Sequence, residues 1–257
     1  MSPARTLARR ATERGFTLVE MSVAITVALF LLAGLLTMVQ STKRAFLSQN
    51  SLGQLQDSER LAMTMIGDVI QASGYFPNPL ATTPQLAFVS NGTYPSPGQS
   101  VAGQANVSPQ GDTISLRFIT QSKDGIINCS GQSNQDPIPG NMHTYENLFS
   151  IDANKELQCL LTTDGVPAAN GPVTLVTGVT NMTILYGVKT DFTVDDERVD
   201  SYLTATQMGG NDWLNVVCVR VQLTFTNPLY TGPGTGQQPT VTFARVVSVM
   251  NKAGVTT

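Results

Sequence analysis

Residues 15–39 read GFTLVEMSVAITVALFLLAGLLTMV, an apolar run that carries a single charge, Glu20. About 20 apolar residues suffice to span the hydrocarbon core of a bilayer, and the run from Phe16 to Val39 has 24 residues. A carboxylate inside such a helix costs about 2.5–3.5 kcal/mol on insertion scales, so Glu20 needs a functional reason. The segment before the run contains four arginines, which predicts that this end stays in the cytoplasm.

Two simpler interpretations of this run are a secretory signal peptide and a plain transmembrane anchor. A signal peptide has an apolar region of about 7–15 residues, followed by a cleavage site of small residues. Here the run is longer, and its small-residue break, Gly15, lies before it. A plain anchor is physically sound, but it leaves Glu20 unexplained.

The string GFTLVE at positions 15–20 resembles the leader junction of type IV pilins and pseudopilins. The resemblance implies that a membrane peptidase cleaves between Gly15 and Phe16, and that the new N-terminal Phe16 is methylated. It also implies that Glu20 pairs with the N-terminal ammonium of a neighbouring subunit during assembly. The physical argument agrees, because a carboxylate in an apolar helical core is tolerable only when a cation meets it.

The resemblance and the hydrophobic pattern divide the chain into three parts. Residues 1–15 are the leader peptide, residues 16–74 a long helix, and residues 75–257 a β-rich globular domain outside the inner membrane. The helix is apolar all round over 16–39, which suits a membrane or a filament core. Over 40–74 its apolar residues recur on one face, which predicts packing against the globular domain.

The helix has clear end signals. Proline is absent between Pro3 and Pro77, and Gly74 is a natural terminator before that proline. One continuous helix over 16–73 is therefore the prediction. The alternative is a break that leaves a separate short second helix, and Gly34 and Gly53 are the places where the helix would bend.

Beyond Gly74 the apolar pattern alternates, which predicts strands. They are expected at 112–120, 182–188, 213–227 and 241–247, separated by polar loops at 90–111, 130–141 and 227–239. Because no helical pattern separates these strands, we expect an antiparallel sheet whose apolar face is covered by the helix. Arg117 falls on the polar side of the first strand. The predicted fold class is α+β, with the long helix of a type IV pilin packed on an antiparallel sheet.

Short strings spread over the globular part resemble the PilW family of minor pilins. They are RLA at 60–62, ASGYF at 72–76, LVTGV at 175–179, LYGV at 185–188, VDSY at 199–202, WLNVV at 213–217 and VRV at 219–221. The resemblance implies a low-abundance subunit that helps to start and cap the filament. The implied partners are other minor pilins, the major pilin, the prepilin peptidase and methyltransferase, the inner-membrane assembly platform and a large tip adhesin. The implied location is the inner membrane before assembly and the pilus afterwards.

The resemblance also implies a disulfide between Cys129 and Cys159, as in related chains, in an oxidising compartment. Cys218 lies in the strongest predicted strand. It is either an unpaired residue of the core or the sheet edge, or the partner of one of the other two cysteines.

An acidic stretch suggests a calcium site, since carboxylates are the ligands that calcium prefers. Its candidate ligands are Asp191, Asp195, Asp196, Glu197 and Asp200. The spacing does not follow the EF-hand pattern, and a solvated charged loop is the simpler interpretation.

Charge and composition favour a structural protein. Without residues 1–15, 11 basic residues oppose 17 acidic ones, so we expect no nucleic-acid partner. The single histidine, His143, is expected on the surface of a polar loop, and without a nucleophile motif or zinc cluster we expect no enzyme and no cofactor. The alternatives to a minor pilin are a pseudopilin of a type II secretion system and a pilus-associated adhesion subunit.

Overall fold

A computed structural model describes residues 15–108, 111–193, 198–234 and 236–250. The chain divides into two compact units, with the boundary between Asn50 and Ser51. Helix α1, Leu18–Ala72, contributes residues to both units. The prediction of one continuous helix is confirmed, and α1 runs through both Gly34 and Gly53.

The end of α1 is fixed by Gly74. This glycine has a φ of 79°, a left-handed conformation that non-glycine residues rarely adopt. Its N–H donates to the carbonyl of Arg117 at 2.9 Å, while the N–H of Ser73 donates to the carbonyl of Ile70 at 3.2 Å. The helix therefore stops where its last turn reaches the sheet.

Among the described residues of the second unit, ten strands form one sheet. They are β1 Val101–Ser108, β2 Gly111–Gln121, β3 Met142–Ile151, β4 Glu156–Thr163, β5 Val166–Pro167, β6 Val173–Thr177, β7 Val179–Val188, β8 Ser201–Leu203, β9 Val216–Thr226 and β10 Thr240–Ser248. The path through the sheet is β10-β9-β7-β2-β3-β4-β5, and β1, β6 and β8 pair with β2, β4 and β7. Pairing is antiparallel except where Gly111 of β2 meets Met182 of β7. A short helix α2, Pro84–Ala87, precedes β1.

The core lies between the last turns of α1 and one face of the sheet. The helix contributes Ala62, Met63, Ile66, Val69 and Ile70. The sheet contributes Ile114, Leu116, Phe118, Phe149, Met182, Ile184, Val219, Val221, Leu223 and Phe225. Burial of each large aliphatic or aromatic side chain contributes about 1.5–3 kcal/mol, so this contact is the main source of stability in the unit. The predicted α+β, pilin-like fold class is confirmed.

One predicted strand begins later than expected. Residues Asp212–Asn215 form a 3₁₀ turn, and β9 starts only at Val216. The Asp212 carboxylate accepts the N–H of Gly209 at 2.7 Å, which closes the turn. The Trp213 ring then packs edge-on against Tyr186, with 4.9 Å between ring centroids. Residues 212–215, which we expected to begin the strand, thus form a turn that places Trp213 against Tyr186.

Strands β1, β3, β4, β5, β6 and β8 were not predicted. Strand β1 lies inside the segment 90–111 that we expected to be a loop. The strand was missed because its sequence, VAGQANVS, has few of the residues that favour strands. Strand β3 carries Asn147 on its buried face, which interrupts the apolar alternation. His143 lies in β3 and not in a loop, so that expectation was also wrong.

Arg117 lies on the polar side of β2, as the alternation indicated, and it is nevertheless buried. Its Nε donates to the carbonyl of Gln99 at 2.7 Å, and its Nη1 donates to the carbonyl of Val89 at 2.8 Å. The guanidinium carbon also lies 4.2 Å from the centroid of the Tyr94 ring. The segment between Phe88 and Ser100 thereby covers the second face of β2, which the alternating pattern could not reveal.

The contact between β2 and β7 depends on a buried carboxylate. Asp112 accepts the N–H of Asn106 at 3.0 Å and the N–H of Ile184 at 2.8 Å. Gly111, with a φ of 104°, leaves no room for a Cβ beside the carbonyl of Met182. Asp112 therefore ties the β1–β2 hairpin to the strand it meets in parallel.

We predict that Arg117→Lys destabilises the domain by about 2–4 kcal/mol, because a lysine lacks the planar fork that reaches several carbonyls and stacks on Tyr94. Urea unfolding of the full chain in detergent, followed by the fluorescence of the single tryptophan, Trp213, measures the change. The matched control is Arg220→Lys, at an exposed residue of β9, which should change the free energy of unfolding by less than about 0.5 kcal/mol. Equal effects at both sites would contradict a clamping role for Arg117.

We also predict that Gly103→Ala destabilises the domain by about 1–3 kcal/mol, because a Cβ there would collide with the Tyr186 hydroxyl and lie 2.8 Å from the Thr113 carbonyl. The Tyr186 hydroxyl has no hydrogen-bond partner among the described residues, so Tyr186→Phe should be nearly neutral alone and should partly rescue Gly103→Ala. Gly92→Ala is the control, since its Cβ would meet open space. Thermal unfolding of Gly103→Ala, Tyr186→Phe, the double variant and Gly92→Ala tests this prediction. Additive effects of Gly103→Ala and Tyr186→Phe in the double variant would contradict it.

Candidate functional site

The start of α1 places Glu20 in a reciprocal set of hydrogen bonds with Thr17. The Glu20 carboxylate accepts the N–H and the hydroxyl of Thr17, each at 3.0 Å. The N–H of Glu20 donates to the Thr17 hydroxyl oxygen at 3.3 Å. This is a capping box, in which two backbone donors of the first helical turn are satisfied by side chains. The carboxylate in the apolar run therefore has partners within its own chain.

Hydroxyl groups farther along the apolar run bond to the helix itself. Ser22 donates to the carbonyl of Val19 at 2.8 Å, and Thr26 donates to the carbonyl of Ser22 at 2.7 Å. Thr37 donates to the carbonyl of Gly34 at 2.7 Å. Such bonds satisfy the hydroxyls without any external partner. The outer surface of the run is therefore apolar, even where the sequence is not.

The processing residues precede the helix. Gly15 and Phe16 lie before the first helical residue, and the Phe16 side chain is 86% exposed. By length and composition, α1 is able to cross a membrane, a property that it shares with signal sequences. An accessible glycine–phenylalanine bond is what a peptidase requires, and cleavage after Gly15 and methylation of Phe16 stay predictions.

The predicted disulfide between Cys129 and Cys159 is confirmed. Both residues are buried, and their Cα atoms lie 6.2 Å apart. The buried amide of Asn147 supports the bond, because its Oδ1 accepts the N–H of Cys129 at 2.9 Å and its Nδ2 donates to the carbonyl of Leu116 at 3.3 Å. The bridge thereby joins the segment after β2 to strand β4.

Cys218 is a free cysteine in β9. Its buried Sγ lies 3.6 Å from the hydroxyl of Tyr202. A Cβ at Gly187 would come within 2.5 Å of the same sulfur, so the thiol fills a space that this glycine leaves open. Of the alternatives considered from the sequence, the unpaired core residue is the one observed.

The acidic stretch is only partly described. Asp195, Asp196 and Glu197 lie outside the described residues. The carboxylate of Asp200 accepts the backbone N–H groups of Thr190 and Asp191, each at 2.7 Å. These bonds lower the pKa of Asp200, and the bond from the N–H of Asp191 has the largest effect. Within the described ranges no group of three metal-ligating side chains converges, and calcium binding stays a hypothesis.

A groove of about 460 Å³ opens on the sheet, on the face opposite to the core. Its walls include Thr93 of the segment before β1 and Gln104 of β1, and its floor includes Thr113, Glu146 and Leu148. The Glu146 carboxylate accepts a hydrogen bond from Asn91 at 2.8 Å. Hydroxyls, an amide, one carboxylate and apolar side chains therefore line a surface that the sequence did not predict.

Several functional residues escaped the sequence analysis. Thr17 carried a usable signal, since a threonine three residues before a glutamate at a helix start is a capping box. Asp112 and Asn147 carried none, because each acts through contacts with distant strands. The burial of Arg117 was not predicted, since a period-two pattern shows which residues share a face but not whether that face is covered.

We predict that replacing both Cys129 and Cys159 with serine lowers stability by about 3–4 kcal/mol in the chain-entropy model, for a sequence separation of 30. A reducing agent should lower the melting temperature of the unmodified chain and leave that of the double variant unchanged. Cys218→Ala is the control, and it should keep the full response to the reductant. A double variant that still responds to the reductant would contradict this assignment.

Comparison with known families gives two matches. Residues 148–253 match the family described as type IV pilus-assembly protein W, and this region runs from β3 to beyond β10. Residues 10–36 match the prokaryotic N-terminal methylation motif. A comparison with curated proteins found no significant match. The prepilin methylation motif near the start of α1, the PilW match over the later strands and the pilin-like α+β fold together support a PilW-like type IV minor pilin.

Proposed function

We propose that this chain helps to initiate assembly of a type IV pilus and forms part of its tip complex. The observation that carries the proposal is Glu20, a carboxylate at the start of an apolar helix whose only partner among the described residues is Thr17 of the same turn. The match to type IV pilus-assembly protein W favours a pilus over a type II secretion system. The role needs no catalytic group and no cofactor.

The proposed sequence of events begins in the inner membrane. The apolar part of α1 anchors the precursor, with the globular domain in the periplasm. The prepilin peptidase then cleaves after Gly15, and Phe16 carries a methylated, positively charged N-terminus. The assembly platform extracts the helix from lipid and places it among the helices of neighbouring pilins.

Glu20 has a different partner before and after extraction. In the isolated chain the capping box with Thr17 satisfies the carboxylate, so the charge has hydrogen-bond donors before any neighbour is present. In the filament the N-terminal ammonium of a neighbour offers a full opposite charge, which is a stronger partner in an apolar surrounding. That pairing requires a subunit on the membrane-distal side. We therefore place this subunit inside the tip complex and not at its outermost position.

Adhesion is the second candidate function, and the groove above β2 and β3 favours it. Its volume is that of a small-ligand site, and it combines hydroxyls with apolar side chains. Deletion of the gene separates the two functions. Loss of pili supports the assembly role, whereas normal pilus number with lost attachment supports adhesion.

We predict that Glu20→Gln lowers incorporation into pili at least about tenfold, because a neutral side chain gains no ion pair with an ammonium on leaving the membrane. Glutamine still caps the first turn, so the helix and the globular domain should be retained. Immunoblots of sheared pili and of membranes measure the incorporated and the precursor pools. Ser22→Ala is the matched control, since Ser22 bonds only to its own helix, and it should assemble normally. Wild-type incorporation of Glu20→Gln would refute the pairing role.

A further inference from the structure

His143 lies between two carboxylates that belong to different parts of the chain. Its Nδ1 is 2.5 Å from an oxygen of Asp164, in the turn between β4 and β5. Its Nε2 is 3.1 Å from an oxygen of Asp136, in the segment between β2 and β3. The imidazole thus joins two surface segments across strand β3.

This geometry fits only one protonation state of the ring. A neutral imidazole has one N–H and one lone pair, so it can donate to one carboxylate but presents a lone pair to the other. The imidazolium ion has two N–H groups and donates to both, and both bonds are then charge-assisted. Both contacts are therefore satisfied only when His143 is charged.

Each carboxylate is held in place by further donors. Asp136 accepts the N–H of Ile138 at 2.8 Å and the amide of Asn141 at 2.7 Å. Asp164 accepts the N–H of Thr144 at 2.8 Å. The two acceptors are therefore held in position, and the ring between them is the group that gains or loses the proton.

The hydrogen bond to Asp164 raises the pKa of His143, and the negative charges of Asp164 and Asp136 raise it further. On strand β3, Tyr145 is the neighbouring titratable group, and burial, followed by the negative charges of Asp164 and Asp124, raises the pKa of its hydroxyl. Lys123, in the segment after β2, donates its backbone N–H to Asn134. The His143 side chain is 26% exposed, so protons reach it from solvent.

We propose that His143, Asp136 and Asp164 form a proton-dependent clasp that fixes segment 130–141 against strand β3 and the β4–β5 turn. When His143 loses its proton, the shorter contact with Asp164 keeps the remaining N–H, and the bond to Asp136 is lost. The segment then keeps its links to the end of β2, such as the bond from Ser122 Oγ to the Asp136 carbonyl at 2.6 Å, and its bonds to Asn128, but loses its link to the ring. The exposed side chain of Ile138, two residues after Asp136, is presented in a fixed position only while the clasp is closed.

The pH range of the clasp follows from the two partners. The hydrogen bond to Asp164, and then the one to Asp136, raise the pKa of His143 above its ordinary value despite partial burial. The contribution of His143 to the stability of the folded chain is therefore fully present below about pH 6.5, and it is lost as the pH rises through the raised pKa. The N–H of Ile138, followed by Asn141 and His143, lowers the pKa of Asp136. The contribution of Asp136 to the stability of the folded chain is present above about pH 4, and it is lost as the pH falls through that lowered pKa.

The test uses the full chain in detergent micelles with isotope-labelled histidine. Because His143 is the sole histidine, its two ring nitrogens can be followed by NMR from pH 4.5 to 9 without assignment. We expect a midpoint above 6.5 with both nitrogens protonated below it. Hydrogen exchange of segment 130–141, corrected for the intrinsic effect of pH, should lose protection through the same midpoint. For each pH unit by which the midpoint lies above 6.5, the equilibrium constant for closing the clasp should fall about tenfold on deprotonation of His143.

Two variants and one control complete the test. His143→Gln should remove the pH dependence of exchange in 130–141, and Asp136→Asn should lower the His143 midpoint. Asp57→Asn, an exposed charge on α1, should change neither. A midpoint at or below 6.5, or pH-dependent protection that persists in His143→Gln, would overturn the proposal. If His143→Gln does not fold, the midpoint in the unmodified chain decides alone.

Discussion

The contact between the last turns of α1 and the sheet is the interaction on which the second unit depends. Ile66 and Ile70 are buried almost completely, and they lie among residues from four of the longest strands. A sheet of this size needs cover for one apolar face, and a helix is the simplest cover. Because the helix must also end where the sheet begins, Gly74 and the carbonyl of Arg117 set the position of one against the other.

The opposite face of the sheet is organised by polar groups. Arg117 holds the covering segment through three carbonyls and the ring of Tyr94, and Asp112 holds the β1–β2 hairpin against β7. Buried polar groups of this kind are costly unless every donor and acceptor is satisfied, so they allow few alternative arrangements. The groove lies on the surface that Arg117 and its covering segment create. Apolar packing accounts for the core, and buried hydrogen bonding accounts for the shape of the exposed surface.

The sequence predicted the parts of the fold that depend on local pattern. The bounds of α1, the strands β2, β7 and β10 and most of β9 all follow from periodicity and end signals. Strands β1, β3, β4, β5, β6 and β8 did not follow from the pattern. Strand β1 lacks residues that favour strands, and β3 places Asn147 among core residues. At the candidate site, Glu20 stood out as a charge in an apolar run, and the disulfide came from the family resemblance. The partners of His143 were beyond prediction, since Asp136 and Asp164 reach it only through the register of β3 and β4.

The inward-turned hydroxyls of α1 have a consequence for recognition. With Ser22, Thr26, Thr37 and Thr42 all bonded to carbonyls of their own helix, this stretch presents to its surroundings little but hydrocarbon. Such a surface mixes with lipid and with other apolar helices almost equally well, because neither offers it a directional bond. The apolar part of the helix therefore favours burial in lipid or among other helices without selecting a particular partner. A directional preference for one neighbour over another therefore cannot come from these hydroxyls, and it has to come from other parts of the chain.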